Sequence, residues 1–395
     1  MDTVILKKHL ELAVNWLTQI ACNKDNTPIG VKGRMMPTTE WQGAIRGEYK
    51  VSAKEWDSFC PIWHTGQAVK ALVLASQALG RPELLENAKF CAAFLLNNQF
   101  HGGENDGLIA AYEDYPQYTN TSAVLESLDG LFLLSEVTGD NIYNDAAVKA
   151  LYWVKNHMWN PELKRFHDVY DPVNCRIVMG VEAAQNRPLL DDAVFLKGWK
   201  LTQDDALLQV AFDTAETLLQ DENPRGNWIK YIPCSPVFDS IHPRHAYWWG
   251  NPMLDLYELT GKDCFKACFL RATDWYRKAL RTDGGLFRRT SSSFMTDSFG
   301  HATSGTACAV LMFLRSLKAC GDRTLEADIE KGLSFCCAMQ FTNPADANLR
   351  GAILEKILPP DGTDNSPYYL RDLATIFFIQ AASSWLFCKQ DGVLS

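Results

Sequence analysis

Asp191 and Asp192 stand side by side in NRPLLDDAVFLKGWKLTQDD, residues 186–205, among Leu, Val, Phe and Trp. Ionised carboxylates rarely keep such company unless something offsets their desolvation. Pro188 suits a first helical turn, which would put both acids where a helix dipole favours negative charge. That role accounts for one Asp. On a helix, adjacent side chains point about 100° apart, so two acids on an internal helix cannot both reach solvent. At least one is expected to face the interior opening. Like charges this close raise one pKa, which suits a general acid near neutral pH.

Other segments carry residues fit for holding a sugar. HPRHAYWWGNP groups His242, Arg244, His245, Tyr247, Trp248 and Trp249, and GGLFRRTSSSFMTDSFGHATSG brings Arg288, Arg289, Asp297 and His301. Trp63 and His64 follow Trp56 and Asp57, AAYEDYPQYTN holds Glu113, Asp114, Tyr115 and Tyr118, and SPYYLRD holds Tyr368, Tyr369 and Arg371. Sugar C–H faces pack on aromatic rings while hydroxyls need donors and acceptors. The His242/Arg244/His245 cluster is a poor zinc signal, since Pro243 interrupts HxxH and removes helical i,i+4 geometry. It reads better as carboxylate recognition, with Arg offering a planar fork and His a hydrogen bond. Nothing resembles a phosphate loop, a dinucleotide GxGxxG or a nucleophilic GxSxG. Neither metal nor cofactor is expected.

These residues must be positioned by helices. ASQALGRPELLENA, LSEVTGDNIYNDAA, GWKLTQDDALLQVA, LYELTGKDCFKACF and LKACGDRTLEADIE share one rhythm. In four of them a Gly closes one helix, and an acidic residue opens the next. The third has Gln203 in place of Gly. The helix before each turn is apolar on most sides, as in GQAVKALVLASQAL, and the one after it is striped, as in DNIYNDAAVKALYWVKNH. An all-round apolar helix is buried and a striped one covers a core, so an inner ring inside an outer ring is expected. Helices are expected at 3–22, 63–79, 83–98, 119–137, 141–158, 189–202, 204–220, 245–260, 264–280, 301–319, 324–341 and 371–388. Short turns alternate with long segments at 23–62, 99–118, 159–188, 221–244, 281–300 and 342–370, each leading into an inner helix. In a closed ring, all six long segments emerge at one end. Long irregular connections usually carry function, so that end is the expected active face.

Six hairpins with a long loop before each inner helix resemble the six-hairpin glycosidase superfamily. The resemblance implies an all-α fold, a single (α/α)6 barrel catalytic domain over residues 1–395. Within that group LLDDAVFL is similar to the inner-helix segment of unsaturated glucuronyl and rhamnogalacturonyl hydrolases, where an Asp before a short apolar run is the general acid/base. Asp191 falls at the matching place, while NRPLL replaces the tryptophan-rich segment those families carry just before it. A more general uronic-acid glycosidase fits equally well. An ordinary glycosidase needs a second carboxylate, about 5–5.5 Å away for retention and about 6.5–9.5 Å for inversion. Glu113 and Asp114 are the leading partners because their loop neighbours that of the Asp pair around the ring. Asp57 and Asp297 are reserves.

The expected activity is removal of a terminal uronic acid from an oligosaccharide by acid/base catalysis. A polysaccharide lyase or sugar epimerase on a similar toroid is the alternative, with HPRHAYWW managing a proton beside a carboxylate. A non-catalytic glycan- or protein-binding toroid is disfavoured by the acid pair. The 395 residues carry a net charge of −9 without any Lys/Arg-rich run, which argues against nucleic-acid or anionic-membrane binding. Twelve scattered cysteines without a CxxC pair read as small hydrophobes in a reducing compartment. The charged, amphipathic MDTVILKKHLELAVNW lacks the apolar core of a signal peptide. A cytoplasmic monomer or homodimer, with an oligosaccharide as its partner, is the resulting expectation.

Overall fold

The computed structural model describes residues 1–29, 40–112, 117–180, 186–296, 301–355 and 369–393. Its helices are α1 (Thr3–Trp16), α2 (Pro61–Leu79), α3 (Glu83–Asn97), α4 (Thr121–Thr138), α5 (Asn141–His157), α6 (Val194–Thr202) and α7 (Asp205–Asp221). They continue with α8 (His245–Gly250), α9 (Met253–Thr260), α10 (Asp263–Ala279), α11 (Thr303–Cys320), α12 (Glu326–Ala338) and α13 (Leu373–Gln390). Short strands lie in the long segments: β1 (Gly47–Lys50), β2 (Glu55–Ser58), β3 (Thr119–Asn120), β4 (Trp159–Asn160), β5 (Arg165–Phe166), β6 (Val169–Asp171), β7 (Arg176–Ile177) and β8 (Tyr369–Arg371).

The inner ring runs α2, α4, α6, α8–α9, α11, α13, and its last member packs back on its first. Burial follows the expected division. Of α13, Leu373 to Ser383 is buried on every side, whereas α10 buries only the stripe Phe265, Cys268, Phe269, Ala272, Thr273, Trp275 and Tyr276. Inner helices α2 and α4 approach to backbone contact. A Cβ on Gly66 would lie 2.3 Å from the Ser127 carbonyl oxygen, and one on Gly130 would lie 2.1 Å from that of Gly66.

The short turns work as their sequences suggest. Gly80, Gly139, Gly261 and Gly321 take left-handed conformations at the helix ends, with φ of 64°, 73°, 68° and 68°. Gln203 takes the same conformation, φ 57°, without glycine's freedom. Asp140, Asp204 and Asp322 cap the following backbone N–H groups with their side chains.

Three expected helices differ. Helix 3–22 finishes in a π turn at Leu17–Ala21. Helix 245–260 breaks after Gly250, because Pro252 cannot donate to the ladder. Helix 189–202 starts only at Val194, so Pro188 does not occupy its first turn.

The long segments are zipped to one another. β1 pairs with β2 and with β8, joining the first and sixth segments, and β3 pairs with β6, joining the second and third. Ile241 bridges Thr290 between the fourth and fifth. Among the described residues, no helix is long and apolar enough to cross a membrane.

Candidate active site

A cleft of about 230 Å³ opens among these segments, and Asp191, Glu126 and Arg187 line it with Arg244 and Arg371. Phe59, Trp63, Trp248 and Trp249 supply ring faces, and His242, Asn120 and Ser122 supply polar edges. This pairing of rings with charged and hydroxyl groups is the chemistry a sugar ring requires.

Asp191 is 2% exposed, and its Oδ2 has no hydrogen-bond partner among the described residues. Burial pushes its carboxyl up to about 7. Arg187 opposes that rise, and Asp192 and Asp168 add to it. A carboxyl of this kind keeps a substantial protonated fraction at neutral pH and can release that proton to a substrate.

The backbone that presents Asp191 is not the α-helix expected from its sequence. Asp191–Ala193 is a tight 3-10 turn in which Asp192 and Ala193 take left-handed φ values of 49° and 53°. The two carboxylates therefore diverge much further than helical neighbours would. Asp191 enters the cleft. Asp192 enters a separate cavity of about 720 Å³, lined by the far halves of the inner helices at Leu74, Phe132, Leu201, Arg315 and Ser384. There Asp192 accepts from Gln67 Nε2 at 2.9 Å and from Lys70 Nζ at 3.1 Å. Tied down at the opposite end of the ring, it does not face the cleft with its neighbour.

Arg187 donates to Asp168 at 2.7 Å and to Ser122 at 3.0 Å. Arg244 donates to Ser304 at 2.8 Å, lies 3.5 Å from Glu355, and its guanidinium sits over the rings of Trp63 and Trp248. Its buried Nε has no partner among the described residues. The Nε1 atoms of Trp63, Trp248 and Trp249 are also buried without partners there. His242 stacks on Trp248 at 5.1 Å with the planes 7° apart.

Three histidines expected to touch substrate lie behind this wall. His64 is fully buried, with Nδ1 2.5 Å from an Asp372 oxygen. His245 sits under Trp249, with Nδ1 2.9 Å from Cys234 Sγ, and burial lowers it to about 3, so it is neutral. His301 is buried edge-on against Phe335. Aromatic packing takes up these rings, so they brace the residues that line the cleft. Arg289 lines a different surface pocket with Phe238 and Asp239, and Arg288 is half-buried outside the cleft lining. Glu113, Asp114, Tyr115, Asp297 and Tyr368 lie outside the described residues. Asp57 is buried on β2, 3.7 Å from Lys50.

Sequence reasoning missed Glu126, Arg187 and the buried Lys70–Asp129 pair. A signal existed: SAVLESLDGLFLL sets Glu126 and Asp129 in an apolar inner helix, as LLDDAVFL does its own acids. Among the described residues, no group of three His, Cys, Asp or Glu side chains is arranged to hold a metal ion.

Among the described residues, an inner ring of six helical segments, an outer ring of six, and a cleft among the long loops define an (α/α)6 barrel. No protein-family model matches the sequence, and no curated protein matches it. Solved structures match it over nearly its full length. Cellobiose 2-epimerase from Bacillus thermoamylovorans B4167 matches with a TM-score of 0.71 at 11% identity, covering 98% of this chain and 100% of its own. An unsaturated glucuronyl hydrolase specific for heparin gives 0.70 at 15% identity, covering 98% and 99%. The unsaturated glucuronyl hydrolase from Streptococcus agalactiae gives 0.65 at 14% identity, covering 98% and 93%. These likenesses concern the fold. It hosts both epimerases and hydrolases, so the reaction must be argued from the cleft.

Proposed function

We propose that this chain is a glycoside hydrolase that removes a terminal uronic acid from an oligosaccharide, with Asp191 as the proton donor. The observation that carries the reading is Asp191 itself, a buried carboxyl raised to about 7 and lining an aromatic cleft with three arginines. Arg244, with a buried Nε to spare, is suited to receive the sugar carboxylate. Glu126, the other acid among the described residues that line the cleft, is the residue we assign to activate water. In hydrolysis Asp191 gives its proton to the leaving oxygen and water adds to the sugar carbon. On an unsaturated uronide the same proton goes to C4 of the enol-ether double bond, water adds at C5 as Glu126 takes its proton, and the resulting hemiketal opens so that C1 releases the remaining sugar as its alcohol.

The test is a panel of aryl uronides, neutral aryl glycosides and unsaturated uronides, the last followed by loss of absorbance near 235 nm. Uronides should be turned over in preference, and Asp191→Asn should lower turnover by about 10²–10⁴. Preference for a neutral hexoside, or an Asp191→Asn variant with normal turnover, would refute the reading.

His242, on the cleft wall and stacked on Trp248, favours a second reading. An imidazole there suits proton abstraction next to a sugar carbonyl, the chemistry of an epimerase. Wash-in of solvent deuterium at a sugar carbon, without bond cleavage, would select it.

A further inference from the structure

Two consecutive non-glycine residues in the left-handed region are strained, and persist only where surrounding structure over-determines them. At Asp192 and Ala193 the Ala193 N–H donates to the Leu190 carbonyl at 3.0 Å, and the Asp192 side chain ties the turn to its surroundings. Asp192 is held by Gln67 and Lys70, both on α2. Gln67 Nε2 also donates to the Glu126 carbonyl at 2.7 Å, and Gln380 Nε2 donates to Gln67 at 3.1 Å. Lys70 Nζ lies 2.6 Å from Asp129, which Lys197 contacts from α6. The turn is thus fastened to α2, α4, α6 and α13 at once.

The charges in this network are mutually supporting. Burial alone would neutralise Lys70, but Asp129 and Asp192 outweigh it and hold the ammonium well above its usual range. Burial would likewise raise Asp129, but Lys197 and Lys70 outweigh it and hold the carboxyl well below its usual range. Such a network has one favourable arrangement, because moving any member leaves a buried charge unpaired.

We propose that Asp192 is a positioning residue: anchored by Gln67 and Lys70, it fixes the left-handed turn that aims Asp191 into the cleft. The inference rests on the reading of Asp191 as proton donor. Without the anchor, the strain of the left-handed backbone favours relaxation toward ordinary helix, and α6 would extend backward and rotate Asp191 out of line. A reacting group displaced by about 1 Å costs on the order of 10² in rate.

Asp192→Gly separates the anchor from the backbone, since glycine takes φ near +50° without strain. Asp192→Asn keeps one of the two acceptor oxygens, for Lys70 or for Gln67, and Asn tolerates the same conformation. In Asp192→Gly, kcat should fall about 10- to 100-fold with KM nearly unchanged, and Asp192→Asn, which keeps one anchoring bond, should restore part of it. Wild-type kcat in Asp192→Gly would overturn the proposal. Equal impairment in both variants would also overturn it, since charge rather than anchorage would then matter. Turnover unaffected by Asp191→Asn is a failure of the proposed function instead. An infrared readout needs no substrate: the neutral-carboxyl band lost in Asp191→Asn should keep its frequency in Asp192→Asn and shift in Asp192→Gly. An unshifted band in Asp192→Gly refutes the anchor.

Discussion

Replacing Asp191 by Asn removes a group whose protonation differs between folded and unfolded chain, and stability should record this without any substrate. The folded carboxyl titrates near 7 against an unfolded value of 3.8. Between those values the folded state holds a proton that the unfolded state has released, so stability falls as pH rises through that window. At about 1.36 kcal/mol per pH unit, that interval bounds the loss at roughly 4 kcal/mol. Asparagine has a similar shape and no charge to bury, so the variant escapes this loss. Its stability relative to wild type should therefore change little below about pH 4, climb through the interval, and level off above pH 7. Urea unfolding of both proteins at constant ionic strength, from pH 4.5 to 8, measures that difference directly. Parallel stability curves would refute the argument. A wild type that gains on the variant as pH rises would show instead that Asp191 is a paired, ionised carboxylate.

Four further outcomes follow from the same geometry. Donation requires the protonated form of Asp191, so kcat/KM on a uronide should fall about tenfold per pH unit above a midpoint near 7. Because Arg187 holds that midpoint down, Arg187→Met should move it to higher pH in the rate profile. Arg244→Ala should lower kcat/KM on a uronide about ten- to a hundredfold more than on the matching neutral hexoside, and equal losses would make Arg244 a purely structural residue. Gly130→Ala forces a Cβ to 2.1 Å from the Gly66 carbonyl oxygen, so a loss of at least about 3 kcal/mol is expected in thermal or urea melts.

The ring was legible because its signals are local. Gly80, Gly139, Gly261 and Gly321 end inner helices through conformations glycine reaches cheaply, and the apolar runs of α2, α4, α11 and α13 have no alternative to burial. Gln203 shows that the turn, rather than the glycine, is what the fold requires at that place. The site was less legible because its geometry is set by contacts remote in sequence. The reversal at Asp192 depends on Gln67 and Lys70, more than a hundred residues earlier, and no local pattern announces it. His64 and His245 looked like ligands for a sugar because their neighbours are aromatic. Those same neighbours enclose them, and Asp372 and Cys234 take up their nitrogens. Glu126 and Asp129 were hidden by the apolar helix around them, although a charge in such a helix is the same signal that singles out Asp191.

The seam where α13 meets α2 bears on how the chain folds. Gln380 reaches Gln67 across 313 positions, whereas Gln67 reaches Glu126 across only 59. Loop closure grows only logarithmically with length, so the longer span costs about 1.5 kcal/mol more. In equilibrium terms the seam is a minor expense, but in kinetic terms it orders events. Hairpins can assemble on their neighbours as they are synthesised, while the seam and the β1–β8 pairing wait for residues near 370. One wall of the cleft, Arg371, arrives with that closing step. A ribosome-bound chain lacking its last helix would therefore carry Asp191 beside an unfinished cleft, with Arg187 and Arg244 already present and Arg371 still to dock.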